Sequence, residues 1–307
     1  MVATKDPLRG YAFAVLNMLI SGVAIYVNSI GVKSFDDSTL YTALKNSVVG
    51  LALLVPFCFS VGARQEIRNL SGRQWLLLAT VALIGGSLSY ALYFRGLQLS
   101  TAVTASLVDH TQFLFVAGFA ALFLKERFGP ALWVALGVLF AGLTFGISVS
   151  AVRLDAGVLF LAAATLLFAV DFTLMKYLLR SVSAYMVMLF KMSLGSLLLV
   201  AYVSVSGHGG AVARLSAGQW GIVGVTGLIL LAFTITSILG LRHASAMAVT
   251  AIPAGSPIVT TALVLLSRRI SIPTSRWIGL SLVLLAILAV FILGLRREMN
   301  SRSPERS

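Results

Sequence analysis

The sequence predicts an all-α polytopic membrane protein in which ten transmembrane helices form two inverted five-helix repeats. The first observation is composition: 59% of the 307 residues are hydrophobic, 11% are charged and the mean hydropathy is +0.98. Soluble domains carry about 25% charged residues, so this composition excludes an ordinary soluble core. The second observation is a series of apolar runs long enough to cross a bilayer, and the third is an internal repeat.

Ten apolar segments follow one another along the chain, joined by short connections. They lie at approximately 10–30, 39–61, 74–94, 101–123, 130–148, 155–175, 185–206, 219–241, 246–267 and 276–295. A bilayer core about 30 Å thick requires about 20 apolar residues per helix, so each segment predicts one membrane crossing. The first segment has no clear cleavage site of small residues, which favours an uncleaved span over a signal peptide.

The basic residues predict the orientation of these spans. The net charge of +13 comes from Lys and Arg between the apolar runs and at the C-terminus, a pattern typical of membrane topology rather than of nucleic-acid binding. With the N-terminus inside, about twice as many basic residues lie on the cytoplasmic side. We therefore expect a multi-pass protein of the cell (inner) membrane with both termini cytoplasmic. The polar tail, residues 297–307, is expected to be disordered.

Short sequence matches between the two halves predict the repeat. LSGRQW opens the third segment and LSAGQW opens the eighth, and adding 144 superposes Trp133 on Trp277. Lys45 matches Lys191 with an offset of 146. The predicted repeats are residues 1–150 and 151–296. Five spans per repeat is an odd number, so the second repeat must enter the membrane upside down, and in transporters such a repeat places the substrate site near the midplane.

The fourth segment carries Asp109 and His110 near its middle. A carboxylate inside a span costs about 2.5–3.5 kcal/mol on insertion scales, so it usually has a partner or a function. On a continuous helix the polar residues of this segment fall within an arc of about 180°; they are Thr101, Ser106, Asp109, His110 and Gln112. The ninth segment has polar counterparts at Ser245, Thr250 and Ser256. These faces predict two walls of a central cavity, and the alternative is interhelical packing through small hydroxyl residues.

Asp109 and His110 lack polar counterparts in the second half, so they are the candidates for specificity. In a functional interpretation Asp109 binds a substrate ammonium group or a coupling proton, and His110 titrates near neutral pH. In a structural interpretation a basic residue neutralises Asp109, and His110 is hydrogen-bonded within the bundle. Asn17, Tyr90 and Thr234 are further candidates for the cavity wall, although ordinary packing explains each of them equally well.

Depth along the helices pairs the remaining buried charges. Asp109 and Lys45 lie in the outer half of their spans, and Asp171 and Lys191 lie in the inner half. We expect Asp109–Lys45 and Asp171–Lys191 to be buried ion pairs, or an outer and an inner gate. A phosphate-binding glycine loop and an HExxH motif are both missing from the sequence, so we expect no enzyme activity, cofactor or metal site.

The stretch from Ser100 to Arg127, which ends in LFLKER, the stretch Trp133–Gly142 and the stretch Ala246–Pro257 carry a resemblance to a known family. Together with Lys45 and Lys191, they resemble the EamA-type ten-helix branch of the drug/metabolite transporter superfamily. The resemblance implies transport of small metabolites, amino acids or drugs by alternating access, coupled to protons or working by exchange.

The chain departs from the family pattern at several positions. Ser21-Gly22 stands in place of the Trp-Gly often found in the first span, Ile270 in place of a glutamate after the ninth, and Asp109 in place of an apolar residue. These departures weaken any inference of the solute from relatives.

The expected function is a secondary transporter that moves a small metabolite, amino-acid-like, amphipathic or drug-like, across the cytoplasmic membrane. Its expected partners are that solute, the lipid bilayer and protons, and not nucleic acid. Two alternatives are an intramembrane enzyme that uses Asp109 and His110 as acid and base on a lipid-like substrate, and a non-transporting subunit of a membrane assembly.

Overall fold

The computed structural model describes residues 6–100, 102–145, 155–268 and 272–300, and every regular element within these ranges is helical. The first half contains α1 (Pro7–Gly31), α2 (Ser38–Phe59), α3 (Val61–Arg68), α4 (Gly72–Leu83), α5 (Ser89–Leu99), α6 (Ala102–His110), α7 (Gln112–Phe123) and α8 (Pro130–Phe145). The second half contains α9 (Ala156–Leu178), α10 (Ala184–Leu189), α11 (Gly195–Val205), α12 (Ala217–His243), α13 (Ala246–Ala251), α14 (Ser256–Arg268) and α15 (Thr274–Asn300).

Eight helical runs in the described part of the chain are long and apolar enough to cross a membrane. They are Pro7–Ser34, Ser38–Phe59, Gly72–Leu99, Ala156–Leu178, Ala184–Val205, Ala217–His243, Ala246–Ser267 and Thr274–Asn300. Two shorter apolar helices, Leu107–Phe123 and Pro130–Phe145, occupy the fourth and fifth predicted segments. The protein is therefore a multi-pass helical protein, while the count of ten crossings stays a prediction. The predicted boundary between the repeats, at residue 150, lies outside the described residues.

The sequence match that indicates the repeat is a helix start in both halves. In each case the N-cap serine accepts a hydrogen bond from the backbone of a glutamine three residues later, and that glutamine accepts one from the serine backbone. Ser71 and Gln74 form this capping box for α4, and Ser216 and Gln219 form it for α12. A capping box satisfies two backbone donors that the first turn leaves free, so the LSGRQW and LSAGQW stretches start equivalent helices.

The two halves pack reciprocally. The first long helix of the first half, α1, packs along α12, and the first long helix of the second half, α9, packs along α5 and α4. Each half therefore places its first span against the third span of the other half. This exchange buries a shared interface between the halves, and the cavity described below lies there.

Two π-helical segments face each other across this interface. Ile84–Leu88 joins α4 to α5, and Phe190–Leu194 joins α10 to α11. A Cβ atom on Gly195 would lie 2.6 Å from the backbone of Gly86, so both residues must be glycine for the two backbones to meet this closely. Small residues allow such close approach of helices in membranes.

The fourth and ninth predicted spans each contain a short departure from α-helical hydrogen bonding, although each continues as one helical run. Thr111 separates α6 from α7, and its hydroxyl group donates to the carbonyl oxygen of Val108 at 2.7 Å. The turn Pro253–Gly255 separates α13 from α14, and a proline lacks the N–H group that would continue the helix. The offset of 144 places Thr111 on Gly255, so both interruptions fall at the same position of the repeat.

Candidate functional site

An internal cavity of about 110 Å³ lies between the two halves of the bundle. Water occupies polar cavities well below this size, of about 10–15 Å³, so several waters or part of a solute fit. Six aromatic rings form much of its wall; they are Tyr90, Tyr93, Phe94, Phe168, Phe172 and Phe233. Its polar lining consists of Ser21, Asn28, Lys45, Asp109, Gln112 and Lys191.

A second cavity, of about 50 Å³, adjoins the first. Asp109 and Gln112 line both cavities, so the polar end of one is continuous with the other. The second cavity reaches the helix interruptions and is lined there by His110, Thr250 and Pro253. The residues around the two helix interruptions thus contribute polar groups to the wall of this cavity.

The structure brings most of the predicted site residues to these cavities. Asp109, Gln112 and Tyr90 line the larger one, and Asn17, His110 and Thr250 line the smaller one together with Asp109 and Gln112. Asn17 also holds α1 to α12, because its amide nitrogen donates to Thr236 Oγ1 and Ser237 Oγ, both at 2.9 Å.

Two predicted residues, Ser256 and Thr234, do not line either cavity. Ser256 is fully buried and is hydrogen-bonded to His110. Thr234 is also buried, and its hydroxyl oxygen makes no hydrogen bond to the described residues. The side chain of Ser106 and the whole of Thr101 lie outside the described part of the chain.

The two interruptions are joined by one hydrogen bond. His110 Nε2 lies 2.5 Å from Ser256 Oγ, between the end of α6 and the start of α14. His110 is 5% exposed and Ser256 is fully buried, so the bond is shielded from solvent. Two residues on, Gln112 begins α7, and its buried side-chain nitrogen has no hydrogen-bond partner among the described residues. A buried, unpartnered amide donor beside a cavity is available to a bound molecule.

Lys45 does not form the predicted ion pair with Asp109. Ion pairs join Arg9 to Asp6 and Lys191 to Asp171, and neither of them includes Lys45 or Asp109. Lys45 Nζ instead donates to Asn28 Oδ1 at 3.1 Å and lies 3.6 Å from the centre of the Phe94 ring. The neutral amide and the aromatic face partly stabilise the ammonium group, and within the protein they take the place of a carboxylate. Depth along the helices matches buried lysines only with buried carboxylates, so it does not indicate that Asn28 is the partner of Lys45.

Lys191 and Asp171 are brought together as the sequence predicts. Lys191 Nζ lies 2.5 Å from Asp171 Oδ2, and Asp171 is fully buried. The carboxyl group sits against the π-helical segment of the first half, where a Cβ atom on Gly85 would lie 2.0 Å from Asp171 Cγ. Asp171 Oδ1 has no hydrogen-bond partner among the described residues.

Polar contacts cluster at the predicted cytoplasmic end of the bundle. Glu126, in the loop after α7, accepts a hydrogen bond from the backbone N–H of Ala246, the first residue of α13, at 3.2 Å. Glu298, near the end of α15, accepts one from the neighbouring Ser245 N–H at 3.0 Å. Carboxylates are favourable at a helix N-terminus. Lys176 donates to the carbonyl oxygens of Leu241 and Ala244.

Glu126 reaches this cluster of contacts because the chain reverses at Lys125, whose φ of 56° is left-handed. Burial raises the pKa of the Glu126 carboxyl group, although the nearby Lys176 ammonium group opposes the shift. The sequence shows Lys125–Arg127 only as a charged cluster after an apolar run, and it does not indicate this role. The repeat-related position, Ile270, carries no carboxyl group. This difference between the halves could have indicated that Glu126 makes contacts specific to the first half.

The sequence interpretation also passed over most of the aromatic wall. Apolar aromatic residues are frequent in every span, so their spacing alone does not distinguish a cavity wall from a lipid-facing surface. Asn28, by contrast, lies at a depth similar to that of Lys45 and could have been found by considering neutral partners for buried lysines.

Taken together, the helical bundle and its polar and aromatic cavities define a multi-pass membrane protein with a candidate internal binding site. The model of the EamA-like transporter family matches residues 8–147 and again residues 155–292. The chain therefore belongs to the EamA-like transporter family, and both of its halves carry the family's repeat. This places it among membrane transporters that act on a small-molecule solute in a lipid bilayer, which is consistent with a non-enzymatic role.

Two curated relatives carry the same general description. An "Uncharacterized transporter in cobO 3'region" from Sinorhizobium sp. is 28% identical over 130 residues, which cover 42% of this chain and 90% of that protein. An "Uncharacterized transporter" from Archaeoglobus fulgidus is 30% identical over 133 residues, which cover 43% of this chain and 44% of that protein. A solved crystal structure has the same fold, with a TM-score of 0.70 and 19% identity, covering 95% of this chain and 98% of that chain.

Proposed function

We propose that this protein is a secondary transporter of the inner membrane that moves a small, amphipathic, amino-acid-like zwitterion by alternating access. The observation that carries the proposal is that Asp109 and Lys45 line one cavity without pairing with each other. Opposite charges held apart in a low-dielectric interior are each costly. A zwitterion offers an ammonium group to Asp109 and a carboxylate to Lys45 in the same cavity.

The lining supports one orientation of such a solute. Its ammonium group binds Asp109, and its carboxylate binds Lys45 with help from the unpartnered Gln112 amide. Its apolar part packs among the aromatic rings of the wall, which attract apolar groups through burial and ring contacts. Lys45, Lys191 and Asp109 line the cavity, and Asp171 is paired with Lys191 behind its wall. The formal charges of these four side chains sum to zero, and a neutral zwitterion keeps that balance.

Alternating access requires an end of the bundle that opens and closes. At the predicted cytoplasmic end the hydrogen bond of Glu126 to the Ala246 N–H joins the two halves, and the hydrogen bonds of Glu298 and Lys176 hold neighbouring elements of the second half together. In the proposed cycle the contact between the halves holds that end closed while the solute exchanges on the other side, and it breaks when the halves rock. The proposal includes ten crossings in two inverted repeats and both termini in the cytoplasm, as the sequence predicts.

Counterflow in proteoliposomes tests the solute class with three matched probes. L-Phenylalanine carries both charges, phenethylamine lacks the carboxylate, and 3-phenylpropionate lacks the ammonium group. We expect L-phenylalanine to exchange at least tenfold faster than the other two, a factor that corresponds to about 1.4 kcal/mol. Equal rates for the three probes would contradict a zwitterion site, and rates no higher than in empty vesicles would contradict the transport of this solute class.

Two substitutions assign the ends of the site. Asp109→Asn is expected to slow L-phenylalanine counterflow at least tenfold through the lost ammonium contact, and Lys45→Met is expected to slow it similarly through the lost carboxylate contact. Ser267→Ala, at an exposed position near the end of α14, is the matched control and should leave the rate unchanged. If both charge variants transport as well as the control, neither residue binds the solute.

A further inference from the structure

The two repeat-related lysines have partners that differ in one chemical property. Lys45 is hydrogen-bonded to the amide oxygen of Asn28, whereas Lys191 is paired with the carboxylate of Asp171. Both lysines line the larger cavity. A carboxylate accepts a proton and an amide does not, at any pH a cell experiences. The second half therefore has a titratable group where the first half has a fixed one.

The surroundings of Asp171 leave it one charged partner. Its Oδ2 atom is 2.5 Å from Lys191 Nζ, and its Oδ1 atom has no hydrogen-bond partner in the described structure. Gly85 leaves no space for a further side chain against the carboxyl group. If Lys191 turns away, the carboxylate is left buried and uncompensated, and a buried group in that position takes up a proton rather than stay charged.

The other groups that face this pair do not replace either partner. On α9, the Phe172 ring centre is 5.7 Å from Lys191 Nζ, and Met175 Sδ is 3.8 Å away. On α5, the Tyr90 ring centre is 6.0 Å from Lys191 Nζ.

Two further elements face the pair. Asn46 on α2 donates to the carbonyl oxygen of Gly86, beside Gly85. The remaining charged groups of the cavity are Asp109 on α6 and Lys45 on α2, and the proposed function assigns both of them to the solute.

We propose that Asp171 is the proton site of this transporter and that it couples the proton to the solute through Lys191. When Asp171 takes up a proton, its ionic hydrogen bond to Lys191 is given up and the ammonium group turns into the cavity, where it adds a second contact to the solute carboxylate. When the solute leaves, Lys191 returns to Asp171 and the proton is released. Proton and solute therefore bind together and cross in the same direction, one for one.

This inference rests on the proposed function, and one experiment separates the two. Wild-type protein in proteoliposomes is assayed for L-phenylalanine counterflow at equal pH on both sides, and for proton movement driven by an L-phenylalanine gradient. We expect both signals, and we expect the apparent affinity for L-phenylalanine to rise by up to about tenfold for each unit of falling pH, as linkage to one proton requires. Absence of counterflow overturns the proposed function, and counterflow without proton movement overturns only the coupling.

The decisive variant is Asp171→Asn, which gives Lys191 the same kind of partner that Lys45 has in the natural protein. The fold already accommodates a buried lysine beside an amide. We expect this variant to continue L-phenylalanine counterflow at a rate independent of pH, with proton movement reduced to that of empty vesicles. Solute-driven proton movement that survives in Asp171→Asn overturns the assignment.

The proton assay on the wild-type protein stands whether or not Asp171→Asn folds, and a second variant tests the mechanism from the other half. The double substitution Asn28→Asp with Asp171→Asn conserves the net charge and moves the carboxylate to the repeat-related lysine. We expect proton movement to return, now through Lys45, because that lysine lines the same cavity. A folded double variant that exchanges L-phenylalanine but moves no protons would show that a carboxylate beside a cavity lysine is not sufficient, and would overturn the mechanism.

Discussion

Lys45 and Lys191 occupy matching positions in the two halves, yet one lies beside an amide and an aromatic ring and the other beside a carboxylate. Each lysine is nearly fully buried, at 2% and 4% exposure. The cost of burying the charge is thus met in two ways, by cation–π and amide contacts in the first half and by an ion pair in the second. The comparison shows that the two halves bury a lysine at matching positions, while a single neighbouring residue determines whether the partner of that lysine is a titratable carboxylate or a neutral amide.

The interrupted spans differ in the same manner. In the first half the interruption carries Asp109 and His110, whereas the second half has Pro253 and Ala254 at the matching positions. The backbone breaks in both halves, but only the first half brings titratable side chains to the cavity there. Four predictions test whether these differences between the halves affect the stability of the protein.

The largest effect is expected from removing the partner of each lysine. Asp171→Ala leaves a buried ammonium group without its counter-charge, and we expect a loss of about 3–5 kcal/mol in the free energy of unfolding. Asn28→Ala leaves Lys45 with the Phe94 ring and should cost about 1–3 kcal/mol. Unfolding in mixed micelles measures both. Equal losses would show that the two lysines are stabilised alike and would remove the contrast.

Gly85→Ala tests how closely the first half is fitted around the ion pair of the second. The new methyl carbon would lie 2.0 Å from Asp171 Cγ, so the carboxyl group or the helix must move. Overpacking of this kind costs about 1–3 kcal/mol. Gly118→Ala is the control, because a Cβ atom there meets nothing within 4 Å. If both variants unfold alike in mixed micelles, the carboxyl group does not depend on Gly85.

Ser256→Ala tests whether the two interruptions stabilise each other. The substitution removes the hydrogen bond to His110 and leaves a buried imidazole nitrogen unsatisfied, at an expected cost of about 1–3 kcal/mol. Ser267→Ala, which removes an exposed hydroxyl group of the same helix, should change stability by less than about 0.5 kcal/mol. A Ser256→Ala protein as stable as this control would mean that the bond between the halves contributes nothing measurable.

The smallest effect is expected at the predicted cytoplasmic end, where Glu126 has no carboxylate counterpart in the second half. Burial raises the pKa of Glu126 above its ordinary 4.5 in the folded protein. The folded state then binds this proton more tightly than the unfolded state. The contribution of Glu126 to the free energy of unfolding is therefore fully present below about pH 4.5 and is lost as the pH rises through the raised pKa. Glu126→Gln should flatten that part of a pH profile of thermal unfolding. A profile unchanged by the substitution would assign the slope to other groups.

Most of the fold could be predicted from the sequence, because apolar length and the LSGRQW and LSAGQW helix starts are local signals. The interruption at Thr111 could not, because the residues around it carry no proline in the first half and read as one continuous apolar helix. Pro253 did indicate the break in the second half. Subtracting the repeat offset of 144 from the turn that begins at Pro253 would have predicted an interruption near Thr111.

The residues of the candidate site could be predicted only where their type is rare inside membrane spans. Asp109, His110 and the pair Asp171–Lys191 stand out because charges inside spans are rare. Asn28 does not, since amides are tolerated in many packing roles, and the aromatic rings do not, since lipid-facing helices carry them too. Which rings face the cavity depends on how α5, α9 and α12 are rotated against each other, and that is set by tertiary packing at positions such as Gly86 and Gly195.

The ion pair of the second half also has a consequence for how the protein is made. During synthesis α9 leaves the ribosome before α10, so Asp171 reaches the membrane before the lysine that neutralises it. A lone carboxylate at the centre of a nascent span costs about 2.5–3.5 kcal/mol on insertion. Only 20 positions separate the two residues, which lets α9 and the helix that follows enter the bilayer as one hairpin. The short separation of Asp171 and Lys191 in the chain therefore lowers the cost of inserting the buried carboxylate.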